Sequence, residues 1–117
     1  MLSLALPGRI FLYTPPADMR RSFDGLAAIV REQMGADPLS GHLFVFRNRR
    51  GDRLKLLYWD EDGLALWSKR LEEGVFQFPS ADTTGVEIKA TDLALILGGI
   101  DLHSAQRRPR YERPVSA

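Results

Sequence analysis

Hydrophobic residues in this chain form short runs with two different spacings. Five runs, at residues 9–13, 43–46, 54–59, 75–78 and 85–89, are short and rich in β-branched, aromatic and leucine residues. Runs of four to eight such residues, bounded by glycine, proline or aspartate, are typical of β-strands. The pattern therefore predicts five strands.

A second spacing, close to 3.6 residues, predicts three helices. After Asp18, apolar residues recur at the spacing of one helical face until Gly35, a natural C-terminal stop. Gly25 lies inside this segment and costs about 1 kcal/mol relative to alanine, so the helix either begins later or packs closely there. The apolar positions are Met19, Phe23, Leu26, Ala27, Val30 and Met34.

Two shorter helices are predicted further along the chain. Asp60 or Asp62 is a possible N-cap for a helix that carries Leu64, Trp67 and Leu71 on one face. Thr91 is the predicted N-cap of the last helix, which runs through Ile96 and extends towards residue 100. Gly74 lies beyond the first of these two helices, and Gly98-Gly99 weaken the end of the second.

Residues 43–46 and 54–59 are predicted to form an antiparallel hairpin. The segment between them contains Asn48 and Gly51-Asp52, which favour a tight turn. Both faces of the two runs are largely apolar, so these strands belong in the middle of a sheet covered by helices.

The element order predicts the fold class. Strand, helix, strand, strand, helix, strand, strand, helix is the order of an α+β domain. We expect one compact domain over residues 1–103, an antiparallel or mixed sheet with the central hairpin packed against two or three helices. Residues 104–117 are polar, basic and proline-containing, and we expect a flexible C-terminal tail.

Composition excludes several kinds of chemistry. The 117 residues include no cysteine, so disulfides, thiolate metal sites and a cysteine nucleophile are all excluded. The two histidines have no metal-ligand spacing, and no phosphate-binding loop or nucleophile motif occurs. No apolar run reaches the ~18 residues of a membrane span, and we expect a cytoplasmic protein without a cofactor or catalytic site.

Positive charge is concentrated in the predicted hairpin. The net charge is only +1, but residues 1–59 carry nine Lys/Arg against five Asp/Glu, and residues 60–101 carry three against nine. Arginine binds phosphate well because its planar fork donates two parallel hydrogen bonds. Two interpretations are equally open, a DNA-backbone contact or a solvated turn. The hairpin cations are Arg47, Arg49, Arg50, Arg53 and Lys55.

Two further clusters invite a functional interpretation. The tail arginines Arg107, Arg108 and Arg110 resemble an arm that follows a nucleic-acid backbone, although an ordinary disordered basic tail is slightly favoured. Asp60 and Asp62 resemble the metal-binding carboxylates of a nuclease. A helix N-cap explains these two aspartates better, because no second carboxylate cluster completes a metal site.

Several segments together resemble the TnpB-type, second-reading-frame proteins of insertion sequence 66 elements. The match runs in order from about residue 7 to residue 102, through segments 18–26, 41–50, 54–60, 69–72 and 76–79. Two positions depart from the family pattern: Arg21 stands where lysine is frequent, and Phe78 stands where tryptophan is frequent. The resemblance implies a non-catalytic accessory protein of DNA transposition that assists a separate transposase encoded by the same element.

Three functions follow from these observations. The leading hypothesis is an accessory factor that binds the DNA of the element ends through the hairpin cations, together with Arg20 and Arg21. The alternative is a protein-interaction module that uses the acidic segment 60–101 to position the transposase without contacting DNA. A metal-dependent nuclease built on Asp60 and Asp62 is the third and weakest hypothesis.

Overall fold

A computed structural model describes residues 8–98 as one sheet of five strands with two helices. The predicted tail, residues 104–117, and the predicted helix end at residue 100 lie outside the described residues. No helix within the described part of the chain is long and apolar enough to cross a membrane. The elements are β1 Ile10–Tyr13, α1 Phe23–Glu32, β2 Leu43–Arg47, β3 Arg53–Asp60, β4 Gly63–Arg70, β5 Gly85–Ile88 and α2 Ala90–Gly98.

The sheet is mixed, with strand order β4-β3-β2-β1-β5. β1 and β2 are parallel, and α1 lies between them in sequence; every other neighbouring pair is antiparallel. The hairpin of β2 and β3 is confirmed, and β2 is the central strand. The predicted α+β class with a single sheet is also confirmed.

Both faces of the sheet are covered because β1, β2 and β3 carry apolar residues on both sides. Leu43 and Val45 of β2 pack into a core on the α2 side, together with Leu93 of α2. The alternate residue Phe44 packs into a second core against Leu26 of α1. Successive side chains of a strand point to opposite faces, so an uninterrupted apolar run such as β2 requires a layer on each side.

The predicted second helix is wrong, because residues 63–70 form β4. Glu61 and Asp62 are a two-residue connection between β3 and β4, and Glu61 has a left-handed φ of 53°. The spacing of Leu64 and Trp67 fits a helix, but in the strand these side chains face opposite cores. Eight cross-strand pairs with β3 outweigh the local pattern, as tertiary pairing commonly does.

The predicted strand at residues 75–78 is also wrong. This segment pairs with no strand among the described residues. Its alternation instead places Phe76 and Phe78 on one side, and both rings are buried in the core beneath α2. The segment therefore covers the sheet rather than extending it.

Both helices begin at different residues from those predicted. α1 starts at Phe23 and not near Asp18, in line with the alternative that Gly25 had left open. α2 starts at Ala90, so Thr91 lies inside the helix and is not its cap. The carboxylate of Asp92 accepts a hydrogen bond from the backbone N–H of Lys89 at 3.0 Å and stabilises the helix start instead.

Candidate functional site

The loop between β2 and β3 is organised around Asn48. Its side-chain oxygen accepts a hydrogen bond from the backbone N–H of Arg53 at 3.0 Å, and its amide nitrogen donates to Asp52 at 2.7 Å. Its backbone oxygen accepts from the N–H of Gly51 at 3.1 Å. Gly51 has φ +80°, a conformation that glycine adopts without strain. These bonds hold the loop in one conformation.

The loop packs against the chain that follows β4. The backbone oxygen of Gly51 accepts from Phe76 N–H at 2.7 Å, and that of Asp52 accepts from Leu71 N–H at 2.7 Å. Gly51 is buried, and a Cβ atom there would approach the Cβ of Val75 to 3.2 Å. The segment after β4 thus supports the loop from one side.

Arg47 contacts the segment 75–78, which supports the loop. Its guanidinium carbon lies 4.2 Å from the centre of the Phe78 ring, and Nη1 donates to the backbone oxygen of Phe76 at 3.4 Å. The side chain is half-buried, and this burial lowers the pKa of Arg47 from its ordinary value. A cation stacked on an aromatic ring is stabilised by the ring quadrupole, so Arg47 fastens the 75–78 segment to β2.

Lys55 has a comparable structural contact on the opposite face of the sheet. Its Nζ donates to the backbone oxygens of Met19 at 2.9 Å and Arg21 at 2.8 Å. The ammonium group therefore holds the segment before α1 against β3. Both of these cations were predicted to contact DNA, and both have protein partners.

The other three hairpin cations are exposed at one end of the sheet. Arg49, Arg50 and Arg53 have no side-chain hydrogen bond or ion pair with any residue in the range 8–98. Arg53 lies directly opposite Arg70 in the β3–β4 register. These arginines border an open groove of about 540 Å³, lined by Ala17, Asp18, Met19, Asn48, Arg49, Arg50, Asp52, Arg53, Arg70, Leu71 and Glu72.

The three carboxylates of the groove each have a partner. Arg20 forms an ion pair with Asp18 at 2.8 Å, and this hydrogen bond lowers the pKa of Asp18 to about 2. The hydrogen bond from the Asn48 amide lowers the pKa of Asp52, and the charge of Arg50 acts in the same direction. Glu72 lies 3.6 Å from Arg70. With Arg20 included, five arginines face three carboxylates, and the groove is positive.

The remaining predicted DNA contacts are distributed differently. Arg20 is joined to the groove through Asp18. Arg21 lines a separate cavity of about 290 Å³ next to α1 and donates to the backbone oxygen of Gly25 at 3.4 Å. Arg107, Arg108 and Arg110 lie outside the described residues.

The acidic segment 60–101 does not form one surface within the described residues. Asp60 and Asp62 lie at the β3–β4 turn, at the other end of β3 from Arg53, and not at a helix N-cap. Glu87 forms an ion pair with Arg9 on the opposite side of the sheet. Among residues 8–98, no group of three or more His, Cys, Asp or Glu side chains could hold a metal ion.

Arg70 is the groove residue that sequence analysis missed. It was assigned to a helix, and its alignment with Arg53 was therefore hidden. The signal was present in the sequence Asp60-Glu61-Asp62-Gly63: a strand followed by a two-residue turn and another apolar run predicts a hairpin. Counting back from that turn places Arg70 opposite Arg53.

Comparisons with known proteins identify the family. The family model described as IS66 Orf2 like protein matches residues 8–107. The chain is 40% identical over 107 residues to the uncharacterized protein y4jC of Sinorhizobium fredii (strain NBRC 101917 / NGR234), covering 92% of this chain and 91% of the relative. It is 41% identical over 98 residues to the uncharacterized protein y4hO of the same strain, covering 84% and 85%. No solved structure matches significantly.

The chain therefore belongs to the family of IS66 Orf2-like proteins. This membership confirms the resemblance drawn from the sequence segments. It supports an accessory role in transposition and implies association with the transposase of the element.

Proposed function

We propose that this IS66 Orf2-like protein assists transposition by binding DNA in the groove beside the β2–β3 loop. Arg49, Arg50 and Arg53 contact phosphates there, with Arg70 beside them and Arg20 at the rim. The carrying observation is that Arg49, Arg50 and Arg53 are exposed side by side without protein partners among the described residues.

The loop presents its arginines from a fixed backbone. An arginine that is already paired must exchange one partner for another, whereas an unpaired one loses only water and side-chain freedom. The loop backbone is fixed by Asn48 and supported by Phe76, so the Cα atoms from which these side chains extend start in defined positions. A backbone that is already ordered loses less entropy when its side chains bind.

Arg47 and Lys55 have an indirect role in this proposal. Lys55 holds the segment that contributes Met19 to the groove wall, and Arg47 holds the segment that supports the loop. They shape the groove while the exposed arginines bind. Arg107, Arg108 and Arg110 remain predicted as additional contacts along the DNA backbone.

The first test compares two variants of equal net charge by fluorescence anisotropy on labelled DNA from the element end. The double variant Arg50→Gln and Arg53→Gln removes two groove charges. The control, Arg31→Gln and Lys89→Gln, removes two exposed charges outside the groove lining. Each lost phosphate contact reduces the magnitude of the slope of log K against log salt concentration by about 0.9. For the groove variant we therefore expect a slope that is smaller by about 2 and a DNA affinity that is at least about tenfold lower.

The control variant should retain most of the affinity and the salt slope. Equal effects of the two variants would refute the groove as the binding surface. If the wild-type chain does not bind DNA even at low salt but co-purifies with the transposase after nuclease treatment, the role is that of a protein-interaction module. Repeating the titration on unrelated DNA separates recognition of the element end from general backbone binding.

A further inference from the structure

β4 forms one edge of the sheet that the described residues make. Within residues 8–98 it pairs with β3 on one side and with no strand on the other. The N–H of Leu71 points towards β3, since it donates to the oxygen of Asp52. Because successive N–H groups of a strand alternate in direction, those of Leu64, Leu66, Ser68 and Arg70 point to the open side.

The middle of this edge is suited to pairing. Residues 64–67 are apolar and only half-buried: Leu64 and Leu66 pack on the α1 side, and Trp67 packs on the α2 side. The strand contains no proline and spans eight residues, whereas the opposite edge, β5, spans four. Long apolar edges of this kind are templates for pairing with another chain.

The two ends of the edge carry opposite charges. The turn before β4 is acidic, with Asp60, Glu61 and Asp62. The strand itself ends in Lys69 and Arg70, and Glu72 and Glu73 follow beyond its end. In a parallel arrangement of two copies, like charges would lie side by side. In an antiparallel arrangement, the acidic turn of each copy meets the basic end of the other.

We propose that β4 pairs antiparallel with β4 of a second copy of this chain and joins the two sheets into one of ten strands. A two-fold axis that relates the copies across one continuous sheet is perpendicular to that sheet. Residues that lie opposite each other in the two strands must then have their side chains on the same side of the sheet. Placing Leu66 on the symmetry axis meets this requirement, brings Leu64 opposite Ser68, and sets Asp62 opposite Arg70. Leu64, Leu66 and Ser68, whose N–H groups point outward, then face one another and can exchange hydrogen bonds.

Charge complementarity makes the second copy the preferred occupant of the edge. Basic residues on an edge strand usually prevent pairing, but here each copy supplies the acidic partner at the matching position. Arg70 has a carboxylate neighbour in its own chain, Glu72, yet that ion pair is long at 3.6 Å and exposed. Exposed pairs of this kind contribute little, so Arg70 is available to a partner.

A mixing experiment tests this inference on the full chain. Arg70→Glu alone and Asp62→Arg alone each place like charges opposite each other at both junctions of a homodimer. A 1:1 mixture of the two variants restores opposite charges at both junctions. Sedimentation equilibrium should give the wild type about twice the 13.2 kDa of the chain. Reversing exposed charge pairs should weaken each homodimer about tenfold, and mixing should restore wild-type dimerisation.

The variant Ser68→Pro provides an independent measurement. It removes one outward N–H without removing a bond to β3, so circular dichroism and folding should be retained while the dimer weakens at least tenfold. A wild type that stays monomeric at all concentrations would overturn the inference. So would a dimer that is insensitive to both Ser68→Pro and the charge reversals, since its interface would lie elsewhere. These readouts do not involve DNA and are separate from the test of the groove.

Discussion

The hairpin contains two kinds of cation that are indistinguishable in the sequence. Arg47 and Lys55 donate to backbone oxygens of neighbouring segments, whereas Arg49, Arg50 and Arg53 are exposed at the groove. The contrast shows that charge density along a chain overstates the charge available to a ligand. Strand alternation and the packing of adjoining segments decide which cations stabilise the fold and which can bind.

The largest expected effect is on stability, from Lys55→Met. Methionine keeps the apolar stem but removes the two charge-assisted hydrogen bonds to Met19 and Arg21. Hydrogen bonds to charged groups contribute about 1.5–3 kcal/mol each, less where water competes, so we expect a loss of about 2 kcal/mol in urea unfolding. Lys89→Met, at an exposed site, should change stability by less than about 0.5 kcal/mol. Equal losses would contradict the distinction.

Arg47→Met should have the second-largest effect. It removes the stack on Phe78 and the hydrogen bond to Phe76. A partly desolvated cation–π contact is worth about 1–2 kcal/mol, and thermal unfolding should report a loss of this size. The matched change Arg53→Met, at an exposed position of β3, should leave the melting temperature nearly unchanged. If Arg53→Met is the more damaging of the two, the assignment of roles is reversed.

Asp52→Asn tests whether DNA phosphates bind beside the exposed arginines of the groove. Asp52 lies among the exposed arginines, and its negative charge opposes an incoming phosphate. Asparagine retains an oxygen that can accept the hydrogen bond from Asn48. Removing one screened charge near the surface is worth about 0.5–1 kcal/mol, so DNA affinity should rise about two- to fivefold in the anisotropy assay. A decrease in affinity would indicate that phosphates do not enter this groove.

The smallest effect concerns the titration of Asp18. Its pKa of about 2 results from the hydrogen bond with Arg20. A carboxyl group with a lowered pKa stabilises the fold above its ordinary pKa of 3.8, and this contribution disappears as the pH falls towards 2. In Arg20→Ala, carboxyl NMR should show Asp18 titrating closer to 3.8. An unchanged pKa would mean that Arg20 is not held at the groove rim.

The sequence predicted the centre of the sheet better than its edge. β2 carries apolar residues on both faces, and a central strand covered on both sides buries all of them. The structure confirms this position. In β4 the same residues fit a short helix or a half-covered edge strand. Only the pairing with β3, which depends on the turn at Glu61 and Asp62, distinguishes the two.

The location of the candidate site could be predicted from the sequence, but the residues that form it could not. The β2–β3 loop was identified from its arginines, and the groove lies beside that loop. The burial of Gly51 beneath the 75–78 segment could not be predicted, because that contact joins residues about 25 positions apart through an irregular segment. The same contact explains why Arg47 is enclosed while Arg49 is exposed.

The stack of Arg47 on Phe78 has a consequence for sequence variation within the family. Phe78 supplies a phenyl ring to the Arg47 guanidinium, and the indole ring of tryptophan is the best aromatic partner for a cation. The two positions should therefore vary together: an aromatic residue at position 78 should accompany arginine at position 47, and its loss should accompany an uncharged residue there. Tryptophan at position 78 should likewise accompany arginine at position 47, because it strengthens the attraction on the guanidinium.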